Sequence, residues 1–439
     1  MEPCIAHSRP SGPSFGMRDR LTIVKHVALL SLHSSPIAPL GRSDAGGMNL
    51  YVRRLADELA ALGLQVDLFT RRTDTRLPAV VELGPKTRLI HLDAGLPQLE
   101  PKARLPRLIP TMAHGLQMFA RNENIDYDVL HCHYWISGLV GLRCRESLGA
   151  PVVSMFHTLS KVKAQYAGSG AGVDSGLRID GERDVLANSD AIVGATELER
   201  TQLTRLYGRA PLEFAVIPPG VDATTFRSQS MDASRRELGI EAEKVILFVG
   251  RLDPMKRLDL LLRAISLLPR AQREGLRVVV VGGNDEQDRI AAKHYHSIAA
   301  DLGLGGIVEL RSNVPQDQLA LYYSAATVCA VPSAYESFGM VALESMACET
   351  PVVGFDVGGI ATTVQNGSTG FLARPGNTMD FSRKLAEALE SHSLEIMGRR
   401  ARESTRPYRW SRIGRLTMSF YEDVTSVYED RSLELAGAG

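Results

Sequence analysis

The chain is 439 residues long, 44% hydrophobic and 23% charged, with fifty basic residues balanced by fifty acidic ones. That length exceeds what one hydrophobic core supports and calls for two or three domains of roughly 100–200 residues each. The zero formal net charge excludes the broad basic surface of a nucleic-acid binder, so any anion site is local and built from a few placed residues.

Residues 1–20 are polar, lack an apolar segment and read as a disordered lead rather than a secretory signal; Met17 is a second candidate start. No apolar run reaches the roughly 18–20 residues of a membrane span. The cysteines, Cys4, Cys132, Cys144, Cys329 and Cys348, are odd in number and form no CxxC pair. A disulfide framework or zinc site is therefore not expected, and a reducing, cytoplasmic compartment fits.

In chain order, HVALLSL (26–32) has the pattern of a buried strand, 48–63 that of an amphipathic helix, and QVDLFT (65–70) that of the next strand. Further buried runs are VLHCH (129–133), PVVSMFHT (151–158), AIVGAT (191–196) and FAVIPPG (214–220). A second series starts at Lys244. It comprises strands at 244–252, 276–283, 307–314, 327–333 and 350–355, with helices at 258–269 and 340–348. Apolar strands separated by helices imply parallel sheets covered on both faces. The predicted fold is α/β, with two Rossmann-like doubly wound domains facing across a cleft. The expected boundaries are 21–218 for the first domain, 219–407 for the second and 408–439 for one or two closing helices that pack back toward the first. The PPG at 218–220 suits the linker, and the tail ELAGAG is expected to fray. Ligands of such sheets bind beyond the carboxyl ends of the strands, so motifs at strand ends are the candidates.

GRSDAGGMN (41–49) follows the first strand and opens a helix. Gly46 and Gly47 allow close backbone approach, and helix N-terminal N–H groups favour a phosphate; a plain connecting loop is the alternative. HCHYW (131–135) places two histidines on one side of a strand, but no third zinc ligand has suitable spacing. Tyr134 offers a hydroxyl to a phosphate oxygen. His157 and Thr158 end another strand and suit a sugar hydroxyl and a phosphate, or are ordinary structural polar groups. Lys102 and Arg178, each a solvated charge when taken alone, complete a phosphate clamp with Tyr134 and Thr158. In FVGRLDPMKR, Arg251 and Lys256 follow a buried strand, where two cations neutralise a departing diphosphate. In ESFGMVALE, Glu336 precedes a helix, Ser337, Phe338 and Gly339 form its start, and Glu344 lies inside it. A carboxylate buried there needs partners, and ribose hydroxyls or a neighbouring arginine would serve.

GRLDPMK (250–256), the E-x7-E pattern 336–344, PPGVD (218–222) and DAGGMN (44–49) together resemble the retaining glycosyltransferases of family 4, over about residues 26–375. The resemblance implies the GT-B fold, a nucleotide-diphosphate sugar as donor, and no metal or other cofactor. Within the family, HCHYWISG and HTLSKVK are most similar to the mycothiol-biosynthesis branch. Its members move N-acetylglucosamine from UDP-GlcNAc to 1L-myo-inositol 1-phosphate. Carried onto this chain, the acceptor set is Asn49, Lys102, Tyr134, Thr158 and Arg178. The donor set is Gly46, Gly47, Arg251, Lys256, Glu336, Phe338, Gly339 and Glu344. The catalytic set is Arg251, Lys256, His157 and Glu336, with His157 meeting the sugar's 6-hydroxyl. The family implies retention by same-face attack, with the donor phosphate taking the acceptor's proton. PPGVD also resembles sucrose-phosphate synthases, so a hexose-phosphate acceptor is the alternative. A non-catalytic nucleotide-sugar-binding protein is the alternative of a different class, and it would lack one of Arg251, Lys256, Glu336 or Glu344. The expected partners are these two small-molecule substrates, and zero net charge is compatible with a homodimer.

Overall fold

The structure is a computed structural model describing residues 23–38, 46–166, 176–283 and 286–437. The lead at 1–20, with Met17, and residues 41–45 of the Gly-Gly loop lie outside the described residues, as does most of the glycine-rich stretch before Arg178.

Two sheets carry the chain. The first contains β1 (His26–Leu30), β2 (Gln65–Arg71), β3 (Val80–Gly84), β4 (Thr87–Leu92), β5 (Val129–His133), β6 (Val152–Met155), β7 (Ala191–Gly194) and β8 (Phe214–Val216). Its order is β3-β4-β2-β1-β5-β6-β7-β8. The second contains β9 (Lys244–Val249), β10 (Leu276–Val281), β11 (Val308–Arg311), β12 (Val328–Val331), β13 (Val352–Phe355) and β14 (Gly370–Ala373), ordered β11-β10-β9-β12-β13-β14. Every pairing is parallel except that of β3 with β4. That edge hairpin departs from the all-parallel expectation. Its strands are partly polar and joined through Pro85 and Lys86, so it carries no buried-strand signal. β14 is not among the strands expected from sequence, because Gly370 weakens its strand pattern.

Strand order reverses between β1 and β5 in the first sheet and between β9 and β12 in the second. Loops leaving neighbouring strands diverge at such points and leave a crevice at the carboxyl ends. The segments after β1, β5, β9 and β12 all line one cleft.

The helix Gly47–Ala61 buries Tyr51, Val52, Leu55, Ala56 and Leu59, a stripe of helical period, against the first sheet. The closing segment is one helix, Trp410–Gly437, so the ELAG read as frayed is helical. It returns to the first half: Gly414 packs on Glu58 and Leu62, and the Tyr421 hydroxyl meets His131 Nδ1 at 2.6 Å. The PPG segment is buried beneath it, and a Cβ on Gly220 would lie 2.5 Å from the Trp410 ring.

Candidate functional site

The two sheets enclose a cleft of about 910 Å³. The first wall is built on β1, β5 and β6 and carries Asn49, Lys102, Tyr134, His157, Thr158 and Arg178. The second is built on β9 and β12 and carries Arg251, Lys256, Glu336, Phe338, Gly339 and Glu344. Gly46 and Gly47 open their helix at the cleft, and a Cβ on Gly47 would touch Met340 Sδ of the opposite wall at 3.4 Å.

On the first wall, Arg178 is buried and held from three sides. Its Nε donates to Glu182 Oε1 at 2.8 Å, and its Nη2 donates to the Thr158 carbonyl at 2.9 Å and hydroxyl at 3.1 Å. Its guanidinium carbon lies 5.0 Å from the centre of the Tyr134 ring. The clamp residues Tyr134, Thr158 and Arg178 therefore form one unit. Lys102 faces the cleft from an exposed 3-10 turn, Lys102–Leu108. Glu182 also accepts Ser160 N–H and the Tyr207 hydroxyl. Burial pushes its pKa up, against the pull of Arg178.

Asn49 uses its amide internally. Nδ2 donates to Ser34 Oγ at 2.6 Å and to the Ser35 carbonyl at 2.7 Å, while Oδ1 accepts Gly46 N–H at 3.0 Å. One lone pair on Oδ1 is left for a ligand hydroxyl.

Tyr134 and His157 adopt positive φ, 75° and 60°. Side chains rarely occupy this region, at a cost of order 1–3 kcal/mol each. Tertiary bonds hold both. Tyr134 N–H donates to the Met155 carbonyl at 2.8 Å, and Thr158 N–H closes a tight turn on the Phe156 carbonyl at 2.7 Å. Ser337 Oγ, from the opposite wall, donates to the His157 carbonyl at 2.7 Å. Burial lowers the pKa of His157 to about 3, keeping the ring neutral.

On the second wall, Lys256 Nζ pairs with Glu336 Oε1, which also accepts the Ser333 hydroxyl at 2.8 Å. Asp253 accepts Met255 N–H at 2.8 Å and faces Arg251 at 3.6 Å, ordering the loop that carries both cations. Gly250 (φ 153°), Gly339 (φ 90°) and Gly358 (φ 49°) take its left-handed positions. A Cβ on Gly358 would lie 1.9 Å from the Glu336 carbonyl oxygen. The Phe338 side chain is core, packed near Tyr408, so only its backbone is offered to a ligand. Glu344 is buried, accepts the Tyr323 hydroxyl at 2.9 Å and lies 3.5 Å from Gln316 Nε2. Burial, partly offset by Tyr323, raises its pKa to about 7. Its partners Tyr323 and Gln316 are neutral, not the arginine weighed from sequence.

Three cleft residues carried no sequence signal. His33, beyond β1, stacks 4.1 Å from the Tyr134 ring centre. Glu199, in the first turn of the helix Glu197–Tyr207, accepts Ala195 N–H at 2.9 Å, and burial raises its pKa to about 7. Tyr335 spans the cleft to Gln202 at 3.1 Å. Each lies outside a motif and reaches the cleft only through the fold. Among the described residues, no cluster of three or more His, Cys, Asp or Glu side chains is disposed to hold a metal ion, and no helix is long and apolar enough to cross a membrane.

Residues 45–225 match the profile described as Glycosyltransferase Family 4, and residues 230–404 that of Glycosyl transferases group 1. The chain is 38% identical over 406 residues to D-inositol 3-phosphate glycosyltransferase 2 of Catenulispora acidiphila, covering 91% of this chain and 95% of that one. It is 40% identical over 380 residues to the D-inositol 3-phosphate glycosyltransferase of Thermobispora bispora, covering 85% and 89%. Among solved structures, sucrose-phosphate synthase from Thermosynechococcus elongatus superposes with a TM-score of 0.84 at 32% identity, covering 92% of this chain and all of that one. Anabaena HepE with UDP-glucose superposes at 0.68 and 17% identity, covering 90% and 98%, a likeness of fold.

Proposed function

Because the chain belongs to the family-4, group-1 glycosyltransferases, we propose that it moves a hexosyl group, N-acetylglucosamine by preference, from a UDP-sugar to an inositol phosphate, with retention, in the cytoplasm. One observation supports this reading: Lys102, Tyr134, Thr158 and Arg178 line the same cleft as Arg251 and Lys256, which would let the first group hold a phosphate and the second neutralise a diphosphate. The four described cysteines are free and buried, in keeping with a reducing compartment.

In this reading the N-terminal domain, residues 21–218, holds the acceptor. The Arg178 guanidinium and Thr158 hydroxyl, already aligned, meet the acceptor phosphate with Lys102 and Tyr134, and Asn49 Oδ1 accepts a ring hydroxyl. Because Arg178 is fixed by Glu182, little side-chain entropy is lost when the phosphate arrives. The C-terminal domain, residues 219–407, holds the donor. Glu344 receives ribose hydroxyls, and the start of the helix Met340–Ala347 faces the diphosphate. Arg251 and Lys256 neutralise charge as the diphosphate leaves. Glu336 holds the Lys256 ammonium before substrate binds, so its reorganisation cost is met in folding. Contacts across the cleft such as Ser337 to His157 exclude water from the activated sugar. The acceptor hydroxyl attacks the face from which the diphosphate departs, and the leaving phosphate takes its proton. This chemistry calls for no metal or other cofactor, since fixed cations supply the positive charge.

The second reading, a hexose-phosphate acceptor, draws on the likeness to sucrose-phosphate synthase. UDP release with UDP-GlcNAc or UDP-glucose, and with 1L-myo-inositol 1-phosphate, fructose 6-phosphate or no acceptor, separates the two. Release confined to inositol 1-phosphate supports the first reading. Release with fructose 6-phosphate alone replaces it by the second.

A further inference from the structure

The HCHYW motif places two buried histidines behind the cleft that the proposed reaction does not use. His131 and His133 project from the same side of β5, with ring centres 4.2 Å apart. His133 Nδ1 lies 3.0 Å from His157 Nε2, and His131 Nδ1 lies 2.6 Å from the Tyr421 hydroxyl of the closing helix. The Nε2 atoms of His131 and His133 are both buried without a hydrogen-bond partner. Burial holds all three histidines neutral, so each ring carries one proton, on one nitrogen or the other.

The deciding proton position is that of His133. Between Tyr421 and His131 one buried donor is left without a partner among the described residues whichever way the hydrogen bond runs, so that pair selects neither direction. At His133 the two nitrogens differ: an Nε2–H would be a buried donor without a partner among the described residues, at a cost of about 1–3 kcal/mol, whereas an Nδ1–H meets His157 Nε2. His133 therefore keeps Nε2 bare and carries its proton on Nδ1. That N–H donates to His157 Nε2, which leaves the His157 proton on Nδ1.

We propose that His133 is a positioning residue which fixes His157 as the Nδ1–H tautomer, so that His157 offers the sugar in the cleft a hydrogen-bond donor. The inference rests on the proposed function only for the identity of that sugar.

The test is the tautomer itself, read by long-range ¹H–¹⁵N correlation spectra of the substrate-free, full-length protein. The expected pattern is protonated Nδ1 on both His157 and His133. Protonated Nε2 on His157 overturns the proposal whatever the substrate proves to be. Tyr421→Phe keeps the volume and the His133–His157 contact, so it is expected to leave the His157 tautomer unchanged. Mixed His157 signals in that variant overturn the assignment to His133. His133→Asn keeps an N–H near the Nδ1 position and is expected to retain the His157 tautomer and most of kcat, whereas His133→Leu loses both. Equal kcat and equal tautomers in the two, at matched thermal stability, overturn the role of His133. A correct tautomer pattern without UDP release from any inositol-phosphate pair leaves this inference standing and removes the proposed function instead.

Discussion

The two walls of the cleft solve the same problem differently. Both need backbone in the left-handed region to turn a strand end toward a ligand. On the second wall Gly250, Gly339 and Gly358 take such positions, with Arg257 (φ 52°) beside Lys256 the non-glycine exception, and most of its polar groups come from two contiguous motifs, 250–256 and 336–344, joined by Asn313 and Gln316. The first wall fills them with Tyr134 and His157, and the polar groups on its side of the cleft come from seven separate segments, those of His33, Asn49, Lys102, Tyr134, His157, Arg178 and Glu199. Glycine adopts such conformations without a side-chain clash. A tyrosine or histidine there is sustained by surrounding contacts, here Met155, Phe156 and Ser337 of the opposite wall. The second wall is thus organised locally, and the first by tertiary structure. Substitutions on the second are expected to cost rate, and those on the first to cost stability as well.

The largest effect is expected at Lys256. Lys256→Ala should lower kcat about 100- to 1000-fold, the loss typical of one fixed group stabilising developing negative charge. Its stability change should stay near 1 kcal/mol or below, because Lys256 is partly solvent-exposed. Steady-state kinetics beside urea denaturation checks both. Arg178→Ala should show the opposite balance. It leaves Glu182 buried without its cation, at about 3–5 kcal/mol of stability, and it should raise the KM for the phosphorylated acceptor more than it lowers kcat. A loss of stability at Lys256 as large as that at Arg178 would break the contrast.

Glu199 and Glu344 sharpen it, one beside each wall, since burial raises both pKa values to about 7. Between pH 4.5 and 7 the unfolded chain has released these protons and the native state still holds them. Stability therefore falls as pH rises through that window, by of order 1–3 kcal/mol per group. Glu344→Gln should match the parent below pH 4.5 and exceed its stability above pH 7, and Glu199→Gln likewise. Denaturation midpoints across pH 4.5–8 read the slope, and an unchanged slope in both variants would refute burial as the cause. The smallest effect concerns backbone strain. His157→Gly should be more stable than His157→Ala by about 1 kcal/mol, because only alanine keeps the left-handed penalty. The reverse order would mean that the turn at 157 is unstrained.

The same contrast separates what was legible in the sequence. β9, β12 and the helix Met340–Ala347 were read within two residues at most ends, as were β1, β2 and β5, because fully buried parallel strands leave unbroken apolar runs. The β3–β4 hairpin was not legible, since a half-polar edge strand leaves no such run. Glu336 was placed before its helix and Glu344 within it from spacing alone, while the Tyr323 hydroxyl that meets Glu344 lies 21 residues away in another helix.

The sequence by itself determined the α/β class, the two sheets, the family and the residues of the second wall. Strand period, apolar runs and short glycine-bearing motifs are local properties, carried by neighbours along the chain. Only the tertiary structure decided the first wall. The guanidinium of Arg178 is aimed by Glu182 and Thr158, His157 is held by Ser337 from the other half, and His133 reaches Tyr421 through His131. These are pairwise contacts between segments up to 290 residues apart. Nothing in the local pattern of either partner encodes them, because hydrogen-bond geometry and burial arise only once both sheets have packed.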